Sequence, residues 1–128
     1  VAEMIADAVA LAGHARVGEH GLSDVGAVVG ATKSAEGEAL RGRMPHQIFL
    51  VPGYGAQGGT ADDIRALLRP TVLSGGAPQR AGVLVTASRS VIYAFSAERG
   101  QDAQAWKEDV ATAARRLAGE IRDIVAQV

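Results

Sequence analysis

Residues 48–59 read IFLVPGYGAQGG and contain the clearest structural signal in the sequence. Their first four side chains are all apolar, a pattern typical of a strand that is buried on both faces of a parallel sheet. Pro52 and a glycine-rich loop follow at once. Thr60 and Asp63 then form a capping box, which predicts a helix through Leu68. A strand, a loop and a helix in this order are one repeat of an α/β fold.

Similar apolar segments lie on both sides of this stretch. Residues 25–31 and 82–87 predict two more strands buried on both faces, so three parallel strands alternate with helices. If these strands are neighbours in chain order, right-handed connections place every helix on one side and leave the other face of the sheet bare. Either the strand order is shuffled, as in a doubly wound sheet, or another polypeptide covers that face, as in a barrel completed by a second piece.

Helical periodicity and capping residues predict four helices. The first covers residues 1–12, the second runs from Thr32 or Ser34 to about Met44, and the third follows the capping box. The fourth is predicted from about Ala103 to Val128, and residues 70–82 are predicted to form an irregular loop. Apolar residues at steps of three and four predict the buried stripe of the last helix: Trp106, Val110, Ala113, Leu117, Ile121, Ile124 and Val128.

Composition limits the classes of function. The 128 residues include 13 Lys and Arg against 14 Asp and Glu, and a net charge of −1 argues against binding of nucleic acid. The absence of cysteine excludes a disulfide framework, a thiolate zinc site and a cysteine nucleophile, and His14, His20 and His46 lack metal-ligand spacing. No apolar run is long enough to span a bilayer and no signal-peptide pattern opens the chain. The sequence predicts a cytoplasmic protein without metal or membrane contacts.

The glycine loop allows two chemical interpretations. Residues 53–58 match G-x-G-x-x-G, but dinucleotide binding also needs an acidic residue about 20 positions later, and no Asp or Glu lies between Asp63 and Glu98. A general phosphate site is simpler, because glycines let backbone N–H groups approach an anion and the helix beginning near Thr60 adds its dipole. Arg89, after the next strand, is expected beside the loop, where its guanidinium suits a phosphate.

Three segments resemble the orotidine 5′-monophosphate decarboxylase family: VVGAT at 28–32, LVPGYGAQGG at 50–59 and SRSVIYA at 88–94. The second segment is the most specific, and all three occur in the family's order. Because the family has a (β/α)8 barrel, the resemblance implies that residues 1–128 are the C-terminal part of a single barrel domain and contain its strands six to eight. The N-terminal half of the barrel is then the piece that this chain lacks.

The resemblance also implies roles for individual residues. Gln57 corresponds to the family's glutamine that binds the substrate phosphate and reaches toward the pyrimidine. Arg89 corresponds to its phosphate-binding arginine, with the backbone N–H groups of Ser88 and Arg89 assisting. Family members often have glycine in place of Ser88, which still supplies an N–H group. Pro52 and Gly53 would line the pyrimidine side of the pocket.

The family's catalytic array is missing from this sequence. It consists of an Asp-x-Lys-x-x-Asp motif and a further lysine, whereas this chain has only Lys33 and Lys107, neither in such a motif. An ammonium group must stabilise and protonate the carbanion that forms at C6 of the pyrimidine as CO₂ leaves. The resemblance therefore implies a cofactor-free lyase that makes uridine 5′-monophosphate (UMP) from orotidine 5′-monophosphate (OMP), homodimeric when complete, with this chain inactive alone.

Two other functions remain open at this point. The first is another phosphate-binding barrel enzyme, such as a sugar-phosphate decarboxylase, isomerase or synthase, which a panel of substrates would separate from an OMP decarboxylase. The second is a non-catalytic half-barrel that binds phosphorylated ligands, which a titration with phosphate esters would test.

Overall fold

The computed structural model describes residues 1–31, 34–55, 57–69 and 82–127. They form two compact units, Val1–Thr86 and Ala87–Val128. The α-helices and β-strands described in the first unit are, in chain order, α1 (Ala2–Gly13), β1 (Ala27–Val28), α2 (Ser34–Arg43), β2 (Phe49–Val51), α3 (Ala61–Leu67) and β3 (Val83–Val85). The second unit contains the long helix α4 (Ala103–Ala126).

The three strands form one parallel sheet in the order β1-β2-β3. Backbone hydrogen bonds continue the pairing beyond the strands themselves: the Ala31 N–H donates to the Pro52 carbonyl at 3.0 Å, and the Thr86 N–H donates to the Val51 carbonyl at 3.0 Å. Strand order equals chain order, so the alternative of a shuffled, doubly wound sheet is wrong for these strands. Consecutive parallel strands with right-handed connections place their helices on one side of the sheet.

The two faces of the sheet differ in exposure. Phe49 and Val51 are fully buried on the side of the helices. On the other side the register aligns Val28, Leu50 and Leu84, which are 69%, 39% and 58% exposed. The prediction that the strands are buried on both faces is therefore wrong for this unit, because its helices cover one face only. The bare apolar face predicted for strands in chain order is confirmed.

The core of the first unit lies between the packed face of the sheet and the helices. Helix α2 packs against α3 and also against α1. Helix α1 buries Ala6 but leaves Met4, Ile5 and Leu11 exposed. The buried apolar residues of this unit are Ala6, Val29, Ala31, Met44, Phe49, Val51, Ile64, Leu67 and Leu68.

Arg41 of α2 is a buried cation at the end of the sheet where the strands begin. Its side chain is 4% exposed and donates to four backbone carbonyl oxygens. Burial, followed by repulsion from Arg69, lowers the pKa of Arg41 to about 10, so the guanidinium is still charged at neutral pH. Arg41 therefore joins the ends of two helices to the segments that lead into β2 and β3. The four acceptors belong to Met44, Gln47, Leu67 and Gly82, at 2.8 to 2.9 Å.

The second unit is built around α4, which begins at a well-formed cap. The Asp102 carboxylate accepts hydrogen bonds from the N–H groups of Gln104 and Ala105, at 2.8 and 3.0 Å. Just before the cap, Arg99 makes a two-bond ion pair with Asp109, at 2.6 and 2.9 Å. The predicted stripe is confirmed for six of its members, which are buried or partly buried: Trp106, Val110, Ala113, Leu117, Ile121 and Ile124.

The helix predictions are confirmed to within one or two residues at the ends that the structure describes. Thr32 and Lys33 at the predicted start of α2, residues 70–81 of the predicted loop, and Val128 lie outside the described residues. Of the helices in the described part of the chain, none has the length and apolar character needed to cross a membrane.

Candidate functional site

The glycine loop lies at the carboxyl end of β2 and is closed by its own backbone. The Gly55 N–H donates to the Gly59 carbonyl and the Gly58 N–H donates to the Gly55 carbonyl, both at 2.9 Å. The Gly59 N–H donates to the Gly53 carbonyl at 3.0 Å. Gly53, Gly55 and Gly58 have φ angles of 96°, 70° and 90°, in the left-handed region that glycine adopts without strain. The turn from Gly55 to Gly58 carries Gln57, which is exposed.

The loop also contacts the end of the neighbouring strand closely. A Cβ atom at Gly59 would clash with the carbonyl oxygen of Ala31 and would approach that of Gly53 to 2.7 Å. Both Gly59 and Ala31 are buried. A larger residue at position 59 would therefore push the loop away from the segment that follows β1, which explains the glycine there.

A carboxylate occupies the start of α3. Asp63 Oδ2 accepts from the Thr60 N–H at 2.8 Å and from Thr60 Oγ1 at 2.7 Å, while the Asp63 N–H donates to Thr60 Oγ1 at 3.3 Å. This is the predicted capping box, and it is confirmed. Asp63 Oδ1 accepts from Ser34 Oγ at 2.6 Å. The hydrogen bond from Ser34, followed by those from Thr60, lowers the pKa of Asp63 below its ordinary value.

These contacts change the expected chemistry of the loop. The N–H groups of Gly55, Gly58 and Gly59 donate within the loop, so they are not directed at a ligand. Helix α3 has seven residues and its first turn already holds the negative charge of Asp63, so the expected dipole at Thr60 offers little to an anion. The side chain of Gln57 is exposed and therefore accessible to a ligand.

The other predicted site residues are divided between the two units. Pro52 is partly buried and Gly53 is buried, and both follow β2 directly in the first unit. Ser88 and Arg89 belong to the second unit, where the Ser88 carbonyl accepts from the N–H of Ile92 at 2.7 Å and closes a turn. Arg89 is exposed, and within its unit the guanidinium makes no ion pair with a described residue. That Gln57 and Arg89 hold one phosphate stays a prediction.

Sequence reasoning missed the bond between Ser34 and Asp63. It interpreted Ser34 as a helix cap and Asp63 as part of a local capping box, and nothing in the spacing of 29 residues joins them. The available signal was that each follows a parallel strand, because the carboxyl ends of parallel strands meet at one edge of a sheet.

His46 contacts the Gly21 carbonyl at 3.1 Å, and within the described ranges no three His, Asp or Glu residues are grouped as metal ligands.

Comparison with known proteins identifies relatives over nearly the whole chain. The chain is 35% identical over 123 residues to orotidine 5′-phosphate decarboxylase from Rhodopirellula baltica, covering 94% of its own length. It is 35% identical over 111 residues to the protein of the same name from Clostridium perfringens, covering 87%. This chain is related to the orotidine 5′-phosphate decarboxylases. The resemblance identified from the three sequence segments is confirmed, although no family model matches the chain.

A solved structure supports the same relation at the level of the fold. UMP synthase from Leishmania donovani matches 96% of this chain with a TM-score of 0.67 and 31% identity. The chain spans 38% and 33% of the two decarboxylases and 22% of the solved chain. The fold is therefore part of a (β/α)8 barrel, with three consecutive parallel strands and their helices, and the barrel predicted from the sequence is confirmed.

Proposed function

We propose that this chain supplies the phosphate-binding part of the active site of an OMP decarboxylase. The complete protein would convert OMP to UMP in de novo pyrimidine synthesis, acting in the cytoplasm. The observation that carries the proposal is the relation to orotidine 5′-phosphate decarboxylases over 94% of the chain. The exposed Gln57, on a glycine loop closed by backbone hydrogen bonds at a strand's carboxyl end, supports it, since that end carries the active sites of barrel enzymes.

In this proposal the phosphate is bound by side chains rather than by the start of a helix. The Gln57 amide donates to a phosphate oxygen, and Arg89 contributes a charged pair of hydrogen bonds with help from the N–H groups of Ser88 and Arg89. Pro52 and Gly53 form the wall beside the pyrimidine. The exposure of Arg89 supports its assignment to an external anion.

The reacting carbon would be served by another part of the protein. The decarboxylation leaves an electron pair on C6 of the pyrimidine as CO₂ departs, and a proton then joins that carbon. An ammonium group must stabilise the carbanion and donate the proton, and this chain has only Lys33 and Lys107, outside the family's charged motif. Phosphate binding still assists the chemistry, because binding energy from a remote group can lower the barrier at the reacting centre.

The remaining part of the barrel would cover the bare face of the sheet. Val28, Leu50 and Leu84 form an apolar row that the helices of the first unit do not cover. In a closed barrel such side chains fill the interior. We assign residues 1–128 to one barrel domain of this kind, completed by an N-terminal half that carries the Asp-x-Lys-x-x-Asp array and homodimeric once complete.

The test compares a complete protein with the chain alone. A barrel is reconstituted by joining residues 1–128 to the N-terminal half of a related decarboxylase, and release of CO₂ from OMP is measured for this protein and for the isolated chain. Turnover by the complete barrel and none by the isolated chain are expected. A panel of sugar phosphates is the control. Activity of the isolated chain on OMP, or activity of the complete barrel on sugar phosphates only, would overturn the proposal.

A further inference from the structure

We infer that Asp63 is a positioning residue: its carboxylate, held between Ser34 and Thr60, fixes the glycine loop so that Gln57 meets the substrate phosphate. The inference rests on the proposed function and deepens it, because Asp63 would act through the loop without touching the substrate. It is a role separate from those of the five residues that the resemblance places in the pocket.

The carboxylate of Asp63 joins two segments that follow different strands. Oδ1 accepts from Ser34 Oγ at 2.6 Å, at the first residue of α2, which follows β1. Oδ2 accepts from the N–H and the hydroxyl of Thr60, at 2.8 and 2.7 Å, at the end of the loop that follows β2. Asp63 itself is 9% exposed, whereas its partners Ser34 and Thr60 are exposed. A buried carboxylate with three donors is a firm connection.

A short series of bonds leads from Asp63 to Gln57. Thr60 directly follows Gly59, whose N–H donates to Gly53 and whose carbonyl accepts from Gly55. The carbonyl of Gly55 accepts from Gly58 and closes the turn that carries Gln57. Displacing Thr60 would therefore shift both ends of this turn together. An amide displaced by about 1 Å no longer makes a good hydrogen bond to a fixed phosphate oxygen.

Helix capping alone does not account for the arrangement. The capping box needs only Thr60 and Asp63, and both of its bonds are local to α3. The bond from Ser34 adds nothing to the cap, yet it joins Asp63 to a segment 29 residues away. Loss of the Ser34 hydroxyl consequently removes this side-chain hydrogen bond between the two strand-end segments and leaves the capping bonds of Thr60 and Asp63 in place.

The experiment uses the complete barrel and measures the affinities of UMP and uridine by isothermal titration calorimetry. Uridine lacks the phosphate, so it reports on the nucleoside part of the site alone. The variants are Ser34→Ala, Ser34→Thr and Asp63→Asn. Asp62→Asn is the matched control, because it makes the same change of charge at the exposed neighbouring residue, whose described partner is Arg65 in the same helix.

Ser34→Ala and Asp63→Asn are expected to weaken UMP binding about tenfold, the order of one hydrogen bond to a charged group, and to leave uridine binding unchanged. Ser34→Thr restores the hydroxyl and is expected to restore UMP affinity, and Asp62→Asn is expected to match the unsubstituted protein. Equal losses of affinity for UMP and uridine, or no loss of UMP affinity in either variant, would overturn the positioning role. The proposed function is tested separately, because OMP decarboxylation by the unsubstituted barrel would still uphold it. An unsubstituted barrel that neither binds UMP nor acts on OMP would overturn both.

Discussion

The guanidinium carbon of Arg41 lies 3.6 Å from the centroid of the Phe49 ring, which places a positive charge against a fully buried side chain of the sheet. All the partners that the described residues provide for Arg41 are neutral, namely this ring and four backbone carbonyl oxygens. The planar guanidinium can satisfy several carbonyls and stack on a ring at once, which an ammonium cannot do. Arg41 therefore stabilises the end of the sheet opposite the candidate site.

We predict that Arg41→Ala lowers the free energy of unfolding of the complete barrel by about 3 kcal/mol or more, because it leaves buried carbonyl groups without donors and a cavity beside Phe49. Arg43→Ala is the matched control: Arg43 lies in the same helix, and its partners Asp7 and Glu3 are exposed. Its loss should cost little, since exposed ion pairs are weak. Urea denaturation of both variants is the measurement, and equal losses would contradict the role of Arg41.

A second prediction concerns the titration of Asp63. The Ser34 hydrogen bond is the largest cause of its lowered pKa, so Ser34→Ala should raise that pKa toward the ordinary value of 3.8. At pH values above that ordinary pKa, the ionised carboxylate stabilises the folded state. This contribution disappears as the pH falls through the lowered pKa. The difference in unfolding free energy between the unsubstituted protein and Asp63→Asn should therefore shrink on acidification.

Carbon-13 NMR titration of the Asp63 carboxyl group measures this pKa directly in the complete barrel. Ser34→Thr keeps the hydroxyl and should keep the pKa low, which separates the hydrogen bond from any effect of altering position 34. The same pKa in Ser34→Ala as in the unsubstituted protein would show that Thr60 alone holds the carboxylate ionised.

Local features of the fold were predictable from the sequence, and features that depend on distant residues were not. The apolar run before Pro52, the glycine loop and the Thr60–Asp63 capping box occupy adjacent positions, and all three occur as predicted. The exposure of Val28 was predicted only for one of the two alternatives, because an apolar run indicates that a strand is covered without indicating whether the cover lies in the same chain.

The side-chain contacts of Arg41 and Ser34 were beyond sequence reasoning for a different reason. Helix α2 is mostly polar, and arginine is rarely buried, so pattern rules place Arg41 in solvent. Ser34 and Asp63 are 29 residues apart, and only the packing of α2 against α3 brings them together. The prediction that Gln57 is a site residue, in contrast, came from the resemblance and not from any spacing rule.

A third prediction tests the phosphate site in the complete barrel. Arg89→Ala should lower kcat/KM for OMP by about 10- to 100-fold, the range expected for losing a hydrogen-bonded charge at a phosphate. The thermal midpoint should not move, because Arg89 is exposed and its guanidinium forms no ion pair with a described residue of its unit. Arg122→Ala, an exposed arginine of α4 in the same unit, is the control and should leave kcat/KM unaltered. An unchanged kcat/KM for Arg89→Ala would remove Arg89 from the site.

The last prediction concerns the bare face of the sheet, where Leu84 is 58% exposed although it lies in the middle of a strand. If the missing half of the barrel covers this face, Leu84 becomes a core residue in the complete protein. Leu84→Ala should then lower its free energy of unfolding by about 2 to 5 kcal/mol, as large-to-small core substitutions do. The same substitution in the isolated chain is the matched control, and its cost should stay within about 0.5 kcal/mol, as for an exposed position. Small and equal effects in both proteins would mean that this face is not the interior of a barrel, because burial alone makes the two contexts differ.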